Sequence, residues 1–473
     1  MIKGNGQYLR KVEGHPYIGR KALAVPGARA RIFKKVNKGR GCKDEAVEAV
    51  YYLTARSKGT SFEGIEEAVG MLLVHATTEL WPGPGREPSR YRSHMSWLAD
   101  ISFLGLNTVE GMESALVTIA TPLDFFDTET GGVSLTPLRM ATVVEPFNAL
   151  LDFTARLVDY RFPASFRKKF PGQVWSHRRI RSYLGIGGAE PIIGTIVKPK
   201  WLPPELFARS VVEAAVAGAL FIKSDENLHM TLKEVPVYVK TTITMLEREG
   251  FDFSSSAAKG KKRVLFAPHI SVNPPALLDF AKAAVDNGAN ALMFSPYLSG
   301  DFGMIEKIFD LGAKYRVPVY AHTAGMNRFT GDPSFTFGED ARVEYLLAAL
   351  SGAAFMQLPA LRGYIRPADE EKPAIVRRLE EEGVTGPDGM TLAIAGGLGA
   401  KNIGFNIKAF GAEGKMFLAG TSVYHHPDGV FAGIKALKQA VAAARKNIVE
   451  PDTLKRYAAG LGEEGRPLLR ALG

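Results

Sequence analysis

From about Glu190 onward the chain repeats one pattern: a short apolar run, a polar or glycine-containing loop, then apolar residues at helical spacing. The apolar runs are Ile192–Val197, Ala219–Ile222, Val264–Ala267, Ala291–Phe294, Val317–Ala321, Ala354–Gln357, Leu392–Ala395 and Met416–Leu418. Runs of this length bounded by turn signals read as buried parallel strands. Helical stretches such as Pro275–Asn287, Met304–Tyr315, Ala341–Leu350 and Ala374–Glu382 lie between them. Eight strands with helical crossovers predict a (β/α)8 TIM barrel. The rival, an open doubly wound sheet, usually opens on a Gly-rich first turn. Here that turn carries Lys198-Pro199-Lys200.

The first third lacks this alternation. Glu48 to Leu53 reads as a strand, Ser61 to Leu73 as an amphipathic helix and Ala115 to Pro122 as another strand. That mixture predicts an α+β domain. The fold class is therefore α/β, a C-terminal TIM barrel preceded by an α+β N-terminal domain. Residues 1–45, rich in Gly, Lys and Arg without a clear period, read as an extended N-terminal arm. The α+β domain is assigned to 46–175. The barrel is assigned to 176–473, with a helical extension over Gly433 to Leu472 packed beneath or beside it.

Composition narrows the class. A single cysteine, Cys42, excludes an internal disulfide framework. No apolar stretch approaches the roughly 18–20 residues of a membrane span. The start, Met1-Ile2-Lys3-Gly4, lacks the apolar core of a signal peptide. A cytoplasmic protein without membrane partners is expected. The net charge of +10 raises the question of nucleic acid. The basic residues are dispersed, however, and the runs Lys34–Lys43 and Lys259–Arg263 contain no interleaved aromatics. A basic surface that draws in phosphorylated substrates, or a generic solubility feature, fits better.

Candidate chemistry gathers where a barrel keeps its active site, at the C-terminal ends of the strands. Lys198 and Lys200 follow strand 1; Lys223, Asp225 and Glu226 follow strand 2. His269 and Asn273 follow strand 3, and His322 ends strand 5. Gly396 and Gly397 end strand 7, and Gly420, Thr421 and Ser422 end strand 8. Lys198 and Lys200, two apart, are expected to point the same way. Asp225 and Glu226 are hard oxygen ligands suited to Mg²⁺. A carbamate formed by CO2 on Lys223 would add a third anionic oxygen, which requires a neutral lysine. Such a metal would polarise a carbonyl and stabilise an enolate, with Lys198 as general acid or base. The glycine turns after strands 7 and 8 offer backbone N–H groups to a phosphate. The adjacent His425 and His426 are read as structural.

These residues resemble the ribulose-bisphosphate carboxylase/oxygenase (RuBisCO) large-subunit superfamily, most closely its non-carboxylating form IV, the RuBisCO-like proteins. The likeness runs from about residue 46 to 440. It rests on Gly194–Lys200, Lys223–Asn227, Pro122-Leu123-Asp124-Phe125-Phe126, Arg161-Phe162-Pro163, Phe170-Pro171-Gly172 and Gly420-Thr421 through His426-Pro427. The resemblance implies a carbamylated Lys223 holding Mg²⁺ with Asp225 and Glu226. It implies Lys198 as enolising base, Lys200 as its partner and His322 at the reactive end of the substrate. Thr77, Gly397, Gly420 and Thr421 would bind a phosphate, with Gly396 beside them. A homodimer, or a higher oligomer of dimers, is the implied assembly.

The departures point away from carboxylation. The loop after strand 6 runs Leu358-Pro359-Ala360-Leu361-Arg362-Gly363-Tyr364-Ile365 and lacks the family's lysine, for which Arg362 could substitute only with different geometry. Thr323 stands at the family's phosphate-binding arginine, Gln357 at a histidine and Ala395 at a serine. Leu72 and Glu145 align with a glutamate and an asparagine of the N-terminal domain. The expectation is an Mg²⁺-dependent lyase or isomerase that enolises a substrate with one phosphate. The alternatives are a carboxylase with an unusual loop 6, or a non-catalytic family member.

Overall fold

A computed structural model describes residues 22–38, 40, 45–58, 62–75, 94–107, 111–126, 135–142, 153–187, 190–254, 260–299, 306–331, 338–365 and 367–473. The chain forms two compact units. One comprises Met1–Pro171 with Met326–Leu346, the other Gly172–Gly325 with Leu347–Gly473.

The first unit is built on four long antiparallel strands: β1 (Ala46–Arg56), β2 (Trp97–Asn107), β3 (Met112–Pro122) and β4 (Phe153–Arg161). Their order is β4-β1-β3-β2. Val47, Ala49, Tyr51, Leu53 and Ala55 of β1, every second residue, are all buried. The strands and the helix expected here are present, each longer or shifted by a few residues, with the helix at Glu63–His75. The arm over 1–45 departs from expectation, because Ala28–Val36 is helical. Gly27 opens that helix in a left-handed conformation, φ 74°. Ile32 is buried, and Arg31 and Lys35, one turn apart, both pair with Glu66. Charge at helical spacing therefore orders a stretch whose composition suggests none. The segment Met326–Leu346, between the fifth and sixth barrel strands, also belongs to this unit. Its short strand β10 (Gly338–Glu339) adds to β4 in parallel.

The second unit holds the eight apolar runs as strands: β5 (Ile192–Ile196), β6 (Phe221–Lys223), β7 (Leu265–Ala267), β8 (Leu292–Phe294), β9 (Val319–Ala321), β11 (Phe355–Pro359), β12 (Thr391–Ala395) and β13 (Lys415–Ala419). They are parallel in the order β7-β6-β5-β13-β12-β11-β9-β8. A parallel bridge between His269 and Met293 joins the two ends and closes the barrel. Inside, Phe221, Tyr320 and Phe355 pack ring against ring, the closest pair 4.9 Å between centroids. Leu265, Met293, Ala393, Met416 and Ile192 complete this layer. The interior is thus a packed core rather than a channel. The tail forms the helices Gly429–Ala444, Pro451–Gly460 and Arg466–Leu472. No helix among the described residues is long and apolar enough to cross a membrane.

His177, at the start of the helix His177–Leu184, is buried, and its Nδ1 lies 3.0 Å from Thr391 Oγ1. Burial, aided by Arg181 and Lys415, holds its pKa down at about 4. The unfolded chain takes up a proton at this residue below about pH 6.5, whereas the folded protein does not. Stability should therefore fall by ~1.4 kcal/mol per pH unit between about 6.5 and 4 from this group, and be unaffected by it above. Urea unfolding at pH 7.5, 6 and 5 checks this. The fall should be shallower in His177→Gln, and an identical pH slope in both proteins would remove His177 as its source.

Candidate active site

Side chains two apart on a strand share a face, so the core residue Phe221 sets the direction of Lys223. Lys223 has no exposed surface at all. Its Nζ lies 5.7 Å above the Tyr320 ring and 3.4 Å from Glu226 Oε2. Tyr320 sets His322 in the same way, and the two rings stack at 6.2 Å. His322 Nε2 is also 3.4 Å from Glu226 Oε2. Glu226 therefore sits between a lysine from the second barrel strand and a histidine from the fifth. Beside it, Asp225 accepts from Lys198 through one oxygen and from the backbone N–H of Asn227 (2.9 Å) through the other.

These contacts set the charges. Burial drives the Lys223 pKa down, only partly opposed by Glu226 and Asp225. Burial works to raise Glu226, yet Lys223 and His322 hold it well below the usual carboxylate range. Burial also acts to raise Asp225, but the hydrogen bond from Lys198 brings it lower on balance. Burial and the charge of Lys223 push His322 down to about 3. Since Nδ1 of His322 accepts from the Ala324 N–H at 3.1 Å, the neutral ring carries its proton on Nε2, facing Glu226.

Lys198, Lys223, Glu226, His322 and Gln357 line one cavity of about 810 Å³ together with Gly396, Gly397, Gly420 and Thr421. Gly396 and Gly397 have φ of 77° and 79°, the left-handed region that glycine enters without strain. A Cβ on Gly397 would lie 2.8 Å from Gly363 Cα, so the loop after β11 rests directly on this turn. Among the described residues no three His, Cys, Asp or Glu side chains are grouped to hold a metal.

Several expectations fare differently. Lys200 is exposed and lies outside the cavity lining, because β5 ends at Ile196 and the two-residue alternation stops with it. Thr77 and Glu145 lie outside the described residues. Leu72 is buried in the first unit's helix Glu63–His75. Arg362 borders the cavity, but its guanidinium stacks 3.7 Å over Phe405 and meets Glu450 at 3.4 and 3.5 Å. Lys372, the first lysine after the loop, is buried and donates to Ala360 O and Asp369. His426 is structural: Nε2 bonds Pro467 O and Nδ1 accepts from the Asp428 N–H. Gln357 lines the cavity, as its place after strand 6 led one to expect. Sequence reasoning passed over Tyr320, the ring on which the cluster stands.

A closed parallel barrel with a lysine–carboxylate cluster and glycine turns at its mouth defines an enzyme class. Residues 178–472 match the model of the ribulose bisphosphate carboxylase large chain, catalytic domain, and the chain belongs to that family. A ribulose bisphosphate carboxylase-like protein of Archaeoglobus fulgidus is 25% identical, over 88% of this chain and 90% of its own. The 2,3-diketo-5-methylthiopentyl-1-phosphate enolase of Geobacillus kaustophilus is 25% identical over 80% and 88%. The 3-oxo-isoapionate-4-phosphate decarboxylase of Rhizobium rhizogenes is 27% identical over 71% and 77%. Among solved structures, octameric RuBisCO from Pyrococcus horikoshii superposes with a TM-score of 0.74 at 21% identity, covering 91% of this chain and 94% of that one. A dimeric archaeal RuBisCO from Hyperthermus butylicus gives 0.73 at 22%, covering 93% and 98%.

The glycine turn provides a direct test. Gly397→Ala should cost about 1–2 kcal/mol for the left-handed backbone, plus the displacement of Gly363. Gly185 has a similar φ of 68° but nothing within 4 Å of an added Cβ. Gly185→Ala should therefore cost only the backbone part in denaturant unfolding. Equal losses would show that the loop does not rest on the turn.

Proposed function

We propose that this protein is an Mg²⁺-dependent enzyme that removes a proton beside the carbonyl of a phosphorylated ketose or keto acid. The resulting enolate then leads to isomerisation, tautomerisation or decarboxylation. The observation that carries this reading is Glu226, with Lys223 and His322 each 3.4 Å from one of its oxygens; these three and Lys198, which pairs with the buried Asp225, line one cavity.

The donor set fits the ion. Asp225 and Glu226 are hard oxygen donors, and Lys223, whose charge is opposed by burial, can react as a neutral amine with CO2 to provide the third. When bound, Mg²⁺ supplies positive charge that polarises the substrate carbonyl and favours the enolate. Asp225 would help hold the ion, and the Lys198 amine that pairs with it here would then be released. Lys198, part-exposed at the cavity wall, is then the group placed to take the proton. His322, neutral and protonated on Nε2, donates to an oxygen at the reacting end. The backbone at Gly396, Gly397, Gly420 and Thr421 cradles the phosphate.

The relatives named as an enolase and a decarboxylase both act, by their names, on phosphorylated keto compounds. Carboxylation is disfavoured by the loop after β11. Its arginine is held by Glu450 and Phe405, and the next lysine along the chain is committed to Ala360 and Asp369. A homodimer or an oligomer of dimers is the proposed assembly, in line with the dimeric and octameric neighbours.

Solvent deuterium exchange at the carbon beside the carbonyl, followed by NMR across phosphorylated ketoses and keto acids, tests the chemistry. Lys198→Met should slow exchange by about 10²–10⁴-fold, and Asp225→Asn or EDTA should abolish it. Unchanged exchange in Lys198→Met would refute its role. Substantial metal-dependent incorporation of labelled CO2 into ribulose bisphosphate would overturn the non-carboxylating reading. Separately, Mg²⁺ with bicarbonate should raise the melting midpoint of the wild type and not of Lys223→Met, since only a ligand of the folded state stabilises it.

A further inference from the structure

At the barrel mouth, four consecutive strands each carry one inward residue directly above the packed core layer. They are Lys223 above Phe221, His269 above Ala267, Ser295 above Met293 and His322 above Tyr320. All four are buried, Lys223 and Ser295 completely. Lys223 and His322 have Glu226 between them. The two residues that lie between them in strand order have no assigned task. His269 is held firmly. Its backbone N–H donates to Ser224 Oγ at 2.7 Å, and its Nδ1 lies 3.3 Å from the Leu228 carbonyl. A carbonyl only accepts, so Nδ1 carries the proton and Nε2 is left as an acceptor. Among the described residues, that Nε2 is buried without a hydrogen-bond partner, and so is the Ser295 hydroxyl. Ser295 is fixed through its own N–H, which donates to Ser271 Oγ at 2.7 Å. Two uncompensated buried polar atoms on neighbouring strands are costly unless something meets them.

An acceptor and a hydroxyl on neighbouring strands match a group that offers one N–H and one anionic oxygen. A lysine carbamate has both. We infer that His269 and Ser295 are positioning residues for modified Lys223, with Nε2 of His269 accepting from the carbamate N–H and the Ser295 hydroxyl donating to a carbamate oxygen. This rests on the proposal that Lys223 takes up CO2. In that step the neutral amine's lone pair forms the N–C bond, one C=O π pair moves onto oxygen, and one amine proton leaves to water. Residues that orient a metal ligand in this way typically govern metal affinity by about 10–100-fold.

The test needs no substrate. Protein is incubated with ¹³C-bicarbonate and Mg²⁺, the carbamate carbon is observed by NMR, and Mg²⁺ affinity is measured by calorimetry, with circular dichroism to check folding. The wild type should show the carbamate signal and Lys223→Ala should not. His269→Phe keeps a ring but loses the acceptor; it should lower carbamate occupancy at limiting bicarbonate and weaken Mg²⁺ by about 10–100-fold. His269→Gln, whose amide oxygen restores an acceptor, should recover to within a few-fold. Ser295→Ala should show a smaller loss and carries the test if His269→Phe does not fold. Wild-type occupancy and affinity in both His269→Phe and Ser295→Ala would overturn the inference and leave the carbamate reading standing, the two atoms then serving only a buried water. Equal losses in His269→Phe and His269→Gln would also overturn it, as a packing effect. Absence of the signal from the wild type would overturn both.

Discussion

A lysine with no exposed surface at the top of a packed apolar core is the constraint on which this protein turns. Phe221, Tyr320 and Phe355 fill the barrel beneath Lys223, and the lysine keeps no exposed surface at the cavity wall. A charge in that place is expensive, and one nearby carboxylate oxygen at 3.4 Å does not restore what water would have given. Burial lowers the amine's pKa, toward the neutral form. Burying this amine costs stability, the kind of local cost that marks functional sites.

The surrounding polar groups answer to the same constraint. Glu226 is kept ionised because Lys223 and His322 face it from two sides. His322 stays neutral because it shares that enclosure. Lys198 compensates Asp225, and Lys223 faces Glu226 at 3.4 Å. Across the barrel the polarity reverses. The seventh and eighth strands end in glycine turns that offer backbone rather than charged side chains. A substrate anchored there by a phosphate would extend its carbonyl toward the charged strands, which explains why one cavity contains both halves.

In the proposed reaction, the loop after β11 would decide the fate of the enolate. It rests on Gly397, and its arginine is turned toward Glu450 and Phe405. A cation aimed at the cluster would favour addition of a second CO2 to the enolate. With Arg362 committed elsewhere, protonation or loss of a carboxylate is the simpler outcome.

Much of this was legible in the chain itself. Eight short apolar runs at regular spacing specify a parallel barrel because each strand must be buried on both faces, and burial writes itself as hydrophobicity. The same logic places Lys198, Lys223, Asp225, Glu226 and His322 at the mouth, since each comes directly after a strand. Local pattern carries less where long-range packing decides. The helix Ala28–Val36 forms in a basic arm because Glu66, some 30 residues away, answers Arg31 and Lys35. Met326–Leu346 leaves the barrel's unit because Arg139 and Arg156 of the first unit bind Glu339, Glu344 and the Thr330 carbonyl. Lys200 fails to join Lys198 because alternation holds only while a strand continues. Sequence alone determined which groups would reach the barrel mouth, for strand periodicity is a local property. Which of them lost water, and therefore which would be charged, neutral or without a partner, was decided only when distant strands closed the barrel over them.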